Sequence, residues 1–269
     1  MSEQIGIIGV GAMGGALLKG LLAGGLNPEK ILVSDTDSVR LQQVAYKCGV
    51  TSSKVEEIAR SAKIIFIAVK PQDIKDLLAQ LAPLLKPGQL IVSVVAGVTI
   101  SEFEHNFIHE VGVIRVMPNT PCLIGEGAMA VSTGNYVHKT DLTLVESWLK
   151  NIGAVHIVPE RFLDAVTGVS GSGPAYVYLL IEALADGGVL CGLPRSLAQE
   201  LAVQTVLGSA LMVKETGQHP AILREQVISP AGTTAAAVFA LENGNFRGLV
   251  QQAVKEAVKR SKELGQSDL

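Results

Sequence analysis

The stretch "IGIIGVGAMGG", residues 5–15, joins an apolar run to the start of a helical pattern through three glycines. Gly9, Gly11 and Gly14 form a GxGxxG motif, which is weak by itself in a chain that contains 28 glycines. Its place between a strand and a helix, at the start of a βαβ unit, makes it far more specific. Gly9 permits a tight turn, Gly11 lets a pyrophosphate approach the backbone, and Gly14 lets the helix pack closely on the strand. The stretch therefore predicts a dinucleotide site at a helix N-terminus.

Short apolar runs alternate with helical patterns from this stretch to about residue 160. The predicted helices are 12–24, 37–48, 54–61 and 72–82, and the predicted strands are 5–8, 31–34, 64–69, 90–95, 113–116, 128–131 and 155–158. Alternation at this spacing implies right-handed crossovers and a doubly wound, mostly parallel sheet. Residues 1–160 are therefore predicted to form an α/β dinucleotide-binding domain.

The second half of the chain, residues 161–269, is predicted to form an all-α domain. Its predicted helices are 174–190, 195–216, 219–227, 233–243 and 246–264. The first two are apolar nearly all round, and five helices of one chain cannot bury both of them. An interleaved homodimer is the economical solution, and larger rings are compatible with the same argument.

Composition excludes several classes of function. The net charge is −3 with no basic stripe, which argues against nucleic acid as a partner. The five histidines have no metal-ligand spacing, so no metal site is expected. No signal peptide is expected, and no segment reaches membrane-spanning length without charges or glycines. Reduced thiols in a cytoplasmic protein are the simplest interpretation of three scattered cysteines, Cys48, Cys122 and Cys191.

The end of the second predicted strand, "LVSDTDSVR", bears on the choice between NAD and NADP. Asp35 lies 21 residues after Gly14, where an acid would bind the adenine ribose hydroxyls of NAD. Ser34, Thr36 and Arg40 could equally surround a 2′-phosphate. Asp37 is better explained as the N-cap of the next helix. The residues alone leave the preference open.

Three loops with unusual sequences leave the carboxyl ends of predicted strands, where ligands bind on such sheets. They are "AVKP" (68–71), "AGVT" (96–99) and "MPNTP" (117–121). Gly97 and the prolines fix backbone shapes, as a cofactor cradle requires, although each loop alone could be an ordinary turn. Lys70 could equally be a solvated surface charge.

The helical half lacks the acid that a ketone reductase needs to protonate an alkoxide. It has no lysine between Lys150 and Lys214 and no histidine from 157 to 218. Tyr176 and Tyr178 lie on an apolar helix and are better explained by packing. The absence of these residues favours a substrate such as a protonated imine. Such a substrate already carries positive charge, so it needs to be oriented more than it needs a proton donor.

The stretch "ISPAGTT", residues 228–234, could provide that orientation. Successive N–H groups at a helix start, together with the helix dipole, favour an anion such as a small carboxylate. Gly232, Thr233 and Thr234 would hold the carboxylate, and one hydroxyl would remain free for the ring nitrogen. Simple capping of the helix is the alternative explanation.

Over essentially its whole length the chain resembles the pyrroline-5-carboxylate reductase family. The resemblance rests most specifically on "SGSGPAY" and "SPxGTT", and also on "AVKP", "VVAGVT" and "RVMPNTP". It implies an enzyme of proline biosynthesis, an oxidoreductase that reduces 1-pyrroline-5-carboxylate to L-proline with NADPH or sometimes NADH. It also implies a Rossmann domain followed by a helical dimerisation domain, with dimers that often assemble into pentamers of dimers.

The resemblance also assigns site residues. Thr234 is the expected catalytic hydroxyl near the imine nitrogen, and the substrate turn comprises Ser229, Gly232, Thr233 and Thr234. The expected cofactor residues are Ile8, Gly9, Val10, Gly11, Ala12, Met13, Gly14, Ser34, Asp35, Ala68, Val69, Lys70, Pro71, Val94, Val95, Ala96, Asn119 and Thr120.

Two departures from the family pattern affect these expectations. Ala231 stands where the family usually has glycine; it costs little at negative φ but opposes a left-handed conformation. The charge of Asp35 would repel a 2′-phosphate and weaken the NADPH preference. The rival functions are another imine or hydroxyacid reductase of the same architecture and a non-catalytic NAD(P)-binding scaffold.

Overall fold

The computed structural model describes residues 4–266, which divide into two compact units. The first unit combines residues 4–172 with 256–266, and the second spans Gly173–Lys255. The first unit thus continues 12 residues beyond the domain boundary predicted after residue 160, which stays a prediction. The last helix belongs to both units, because its residues 246–255 lie in the second and its end returns to the first.

An eight-stranded sheet forms the centre of the first unit, in the order β3-β2-β1-β4-β5-β6-β7-β8. All neighbouring strands are parallel except β6 and β7, which confirms the mostly parallel α/β sheet. The strands are β1 Gln4–Ile8, β2 Ile31–Ser34, β3 Thr51–Ser52, β4 Ala62–Ile67, β5 Leu90–Ser93, β6 Gly112–Met117, β7 Gly127–Thr133 and β8 Gly153–Ile157. Only the two-residue β3 was not predicted.

Helices cover both faces of this sheet. Side chains along a strand alternate between the two faces, and apolar side chains point to both. In β4, Ile64 and Phe66 face one core and Ile65 and Ile67 face the other. The helices of this unit are α1 Ala12–Ala23, α2 Ser38–Cys48, α3 Val55–Ser61, α4 Ile74–Leu81, α5 Ile100–Asn106, α6 Lys139–Leu149 and α7 Leu163–Val166. A π-helical turn, Thr167–Gly171, follows α7.

Helices α5 and α6 were not predicted, although each has a signal in the sequence. Thr99 and Glu102 form a reciprocal capping box at the start of α5, which is the S/T-x-x-E pattern of a helix N-terminus. In α6, the buried side chains Val145, Trp148 and Leu149 recur at helical spacing.

The second unit consists of helices with little core of their own. They are α8 Gly173–Leu190, α9 Arg195–Thr216, α10 Pro220–Val227, α11 Thr233–Asn243 and the first part of α12, Phe246–Gln266. Its buried cluster contains only Ala185, Ala198 and Ala202. Large apolar side chains of α8 and α9 are exposed instead, including Tyr178, Leu179, Leu201, Leu207 and Met212. This exposure agrees with the prediction that these helices are buried against another subunit.

One described helix, α9, is long and apolar enough by length and composition alone to cross a membrane. A helix that packs in the core of an assembly passes the same test.

Candidate functional site

The loops assigned to the cofactor leave the sheet at one edge. Strands β1, β2, β4, β5 and β6 are parallel, so their carboxyl ends meet there. The strand order reverses direction at β1, which lies between β2 and β4. Such a switch point is where open α/β sheets bind ligands. The structure therefore brings five separate predicted segments to one edge, beginning at Gly9, Asp35, Ala68, Val94 and Pro118.

The glycine loop has the geometry that its motif predicts. Gly9 has a φ of +90°, and a Cβ there would lie 2.5 Å from the Ala68 carbonyl oxygen. A Cβ on Gly14 would collide with the carbonyl oxygen of Gly9, whereas a Cβ on Gly11 would meet nothing closer than the Arg40 guanidinium, 3.8 Å away. Two glycines thus shape the loop, and the third leaves space beside it.

Helix α1 begins at this open side without a side-chain cap and without an acidic residue in its first turn. The first N–H groups of a helix have no partner inside the helix. Together with the positive end of the helix dipole, they fit a pyrophosphate.

Asp35 supports the glycine loop from the end of β2. Its carboxylate accepts hydrogen bonds from the Val10 N–H at 2.8 Å and the Asp37 N–H at 2.9 Å. The Arg40 guanidinium lies 3.5 Å from the same carboxylate, whose side chain is 7% exposed. The acid is therefore partly neutralised and fixes the loop, so its repulsion of a 2′-phosphate is weaker than the sequence argument assumed. A contact between Asp35 and ribose stays a prediction.

The Asp37 side chain caps α2, as predicted. It accepts hydrogen bonds from the N–H groups of Val39 and Arg40, at 3.1 and 3.0 Å. The Arg40 N–H bond is the largest cause that lowers the pKa of Asp37 below its ordinary value. This second acid therefore belongs to the helix rather than to the cofactor site.

The loops after β4 and β5 are fixed by backbone hydrogen bonds. The Ala68 N–H donates to the Ile8 carbonyl at 2.8 Å, and the Val94 N–H donates to the Ile67 carbonyl at 3.0 Å. Ala96 and Lys70 are exposed at this edge, while Val95 is buried. Gly97 has a φ of +82°, so the shape of this loop requires a glycine.

Asn119 and Thr120 have different surroundings in the loop after β6. The Asn119 side chain is buried and bridges three segments: its Nδ2 donates to the Ser170 carbonyl at 3.1 Å, and its Oδ1 accepts the Ala128 N–H at 2.9 Å. Thr120 is exposed. The Asn119 amide is thus committed within the protein, and a direct cofactor contact through it stays a prediction.

The predicted substrate turn lies in the second unit. Gly232 is the N-cap residue of α11, with no side-chain hydrogen bond and no acid in the first turn. Thr233 and Thr234 are the first two helical residues, so neither hydroxyl caps the helix. Capping therefore does not explain the two threonines. The exposed helix start fits a small carboxylate, as the glycine loop fits a pyrophosphate.

Ala231 adopts the left-handed conformation that its residue type opposes, with a φ of +56°. Alanine would cost little here at a negative φ, but the turn has the positive φ at which alanine is strained. The turn is closed by a hydrogen bond of 3.0 Å from the Gly232 N–H to the Ser229 carbonyl. A Cβ on Gly232 would displace the Ser229 hydroxyl and lie 3.1 Å from the Ser229 carbonyl oxygen, so a larger residue at position 232 would crowd the turn.

The tyrosines of α8 do not supply an obvious acid. The Tyr176 hydroxyl lies 3.5 Å from the Ala253 carbonyl oxygen, and Tyr178 is exposed on the apolar surface of α8. Their positions agree with packing roles.

Known proteins resemble the chain in both sequence and structure. Residues 160–264 match the family described as pyrroline-5-carboxylate reductase dimerisation, and residues 4–97 match NADP oxidoreductase, coenzyme F420-dependent. A pyrroline-5-carboxylate reductase of Synechocystis sp. is 45% identical over 268 residues, covering 98% of this chain and 99% of the relative.

Two solved structures agree with the fold over nearly the full length. The pyrroline-5-carboxylate reductase of Coxiella burnetii has a TM-score of 0.92 and 36% identity, covering 99% of this chain and 100% of its own. The pyrroline carboxylate reductase of Plasmodium falciparum, solved with NADP bound, has a TM-score of 0.87 and 35% identity, covering 98% and 99%. The matched dimerisation region contains the exposed apolar helices, so the chain forms a homo-oligomer. With both halves and the full length matched, the chain belongs to the pyrroline-5-carboxylate reductase family.

Proposed function

We propose that this chain reduces 1-pyrroline-5-carboxylate to L-proline with NAD(P)H, the reaction of its family, and that its own residues act mainly by orienting the substrate. The observation that carries this mechanism is the uncapped start of α11 at Gly232–Thr234. The N–H groups of Thr233 and Thr234 would hold the substrate carboxylate, because the Gly232 N–H already donates to the Ser229 carbonyl. When bound, the reduced nicotinamide supplies the hydride that converts the C=N bond of the ring to an amine.

Thr234 orients the ring. Its hydroxyl is not used to cap α11, so it is available to the ring nitrogen. A substrate bound as its iminium becomes a neutral amine on accepting hydride, so no side chain need deliver a proton in that step. This explains how a substrate turn without lysine or histidine can work, because positioning alone contributes several kcal/mol to catalysis.

The first unit would hold the cofactor. The pyrophosphate would lie on the N–H groups at the start of α1, beside the space left by Gly11. Residues 68–71 and 94–96 would line the nicotinamide half. The Arg40 guanidinium lies next to the glycine loop and would attract a 2′-phosphate, which favours NADPH, with NADH as the second cofactor.

We also propose that dimers formed through the helical unit assemble further into pentamers of dimers in the cytoplasm. The extent of exposed apolar surface on α8 and α9 supports assembly. The three free cysteines support a reducing compartment.

Parallel measurements of NADPH and NADH oxidation, with pyrroline-5-carboxylate as the acceptor, test the function. Turnover with pyrroline-5-carboxylate and none with a panel of ketoacids is expected. Turnover of ketoacids alone would identify a hydroxyacid reductase, and binding of both cofactors without turnover would identify a scaffold.

A further inference from the structure

The C-terminal end of α12 packs against the loop that follows β5, and both belong to the first unit. A Cβ on Gly97 would lie 3.5 Å from the backbone carbonyl of Leu264 and 3.6 Å from its Cβ, which is van der Waals contact. From the other side, a Cβ on Gly265 would lie 3.1 Å from the Gly97 carbonyl oxygen. The backbone of the loop at Gly97 therefore lies close to the backbone of α12 at Leu264 and Gly265.

The contact lies at the centre of the loop, between the buried side chains of Val95 and Val98. Its ends are fixed by the Val94 N–H bond to the Ile67 carbonyl and by the capping box at Thr99. Within the described residues 4–266, Ala96 and Gly97 make no backbone–backbone hydrogen bond. The shape of Gly97 is thus supported by packing against Leu264 and Gly265.

The helix end is itself anchored to the first unit. The Ser261 hydroxyl donates to the Asp164 carboxylate at 2.7 Å. This bond fixes the last turns of α12 on the segment that leads into the π-helical turn, Thr167–Gly171.

We infer that Leu264 and Gly265 are positioning residues for the cofactor: the last turn of α12 holds Gly97 in its left-handed conformation and so sets where Val94–Ala96 meet the nicotinamide. The inference rests on the proposed function only for the role of that loop. In this role both residues act through Gly97 rather than by contacting the cofactor.

The test compares the Ser261→Ala variant, which removes the hydrogen bond that anchors the helix end, with Lys262→Ala, an exposed position on the same helix turn. NADPH affinity is titrated by fluorescence, and affinity for 2′,5′-ADP, which lacks the nicotinamide half, is measured by calorimetry. Ser261→Ala should weaken NADPH binding by about three- to tenfold, as expected for losing one hydrogen bond that fixes the helix end. It should leave 2′,5′-ADP binding unchanged. Lys262→Ala should change neither, and Ser261→Thr, which keeps the hydroxyl, should retain the NADPH affinity of the wild type.

Gly265→Ala provides a second test that removes no packing. Its methyl group would press on the Gly97 carbonyl, so it should weaken NADPH binding with no loss of 2′,5′-ADP affinity. NADPH affinity equal to wild type in both variants would overturn the inference, as would an equal loss of both ligands. If the wild type binds NADPH but does not reduce pyrroline-5-carboxylate, the proposed reaction fails while these titrations still decide the role of the helix end.

Discussion

Replacing Ala231 by glycine should stabilise the protein, although most glycine substitutions do the opposite. At a φ of +56°, an L-residue other than glycine crowds the following carbonyl, at a cost of about 1–2 kcal/mol. Glycine avoids that cost, but it gives the unfolded chain more freedom, which offsets about 0.4–1 kcal/mol. The net gain in the free energy of unfolding should be about 0.5–1 kcal/mol.

Ala237→Gly is the matched control, because residue 237 is an exposed helical position in α11, six residues along the chain. The same chemical change there should lower the free energy of unfolding by about 1 kcal/mol. Both variants and the wild type are compared by urea denaturation at one protein concentration, since subunit association contributes to the stability of a homo-oligomer. The two substitutions should therefore differ in sign.

A decrease in stability for Ala231→Gly comparable to that of Ala237→Gly would refute the reasoning, because it would mean that residue 231 does not have a positive φ in solution. Activity provides a separate measurement. If the substitution leaves the backbone of the turn in place, the KM for pyrroline-5-carboxylate should change less than twofold. That limit corresponds to a change in binding free energy below about 0.4 kcal/mol.

Three further predictions concern single side chains. Thr234→Ala should lower kcat about tenfold to a hundredfold, as expected for one positioned hydrogen bond, and an unchanged kcat would contradict the orienting role. Arg40→Ala should raise the KM for NADPH more than the KM for NADH, and an equal effect on both would contradict a 2′-phosphate contact. Burial raises the pKa of the Cys122 thiol, so iodoacetamide near pH 8 should label the exposed Cys191 well before Cys122 in the native protein, as read by peptide mass spectrometry.

Sequence patterns predicted the elements whose signals are local and strong. The glycine spacing predicted the turn after β1 because Gly9 and Gly14 each satisfy a steric demand that no other residue meets, while Gly11 leaves space beside the loop. The two helical runs of the second unit were predicted to within one residue at each end, 173–190 and 195–216, because their apolar patterns are long. Helix α5 was missed because it has only seven residues, and its sole clear signal is a cap.

Properties that depend on distant contacts could not be predicted in the same way. Nothing near Asp35 in the sequence indicates that its carboxylate bonds to the N–H of Val10, 25 residues away. The buried amide of Asn119 likewise depends on Ser170 and Ala128, which only the fold brings near. The φ of Ala231 depends on how the turn closes on Gly232, so residue type alone could not give it.

The route of α12 has a consequence for how the protein is made. A ribosome completes residues 4–172 and then the whole second unit before it reaches residues 256–266, which belong to the first. Domains generally fold as units during synthesis, in order from the N-terminus. Here the nascent dinucleotide domain lacks its last segment, and with it the inferred support of the loop at Gly97, until residues 256–266 are made. Newly made chains should therefore acquire full affinity for the cofactor later than their sheet folds, and expressing residues 4–172 alone should yield a domain that lacks this support.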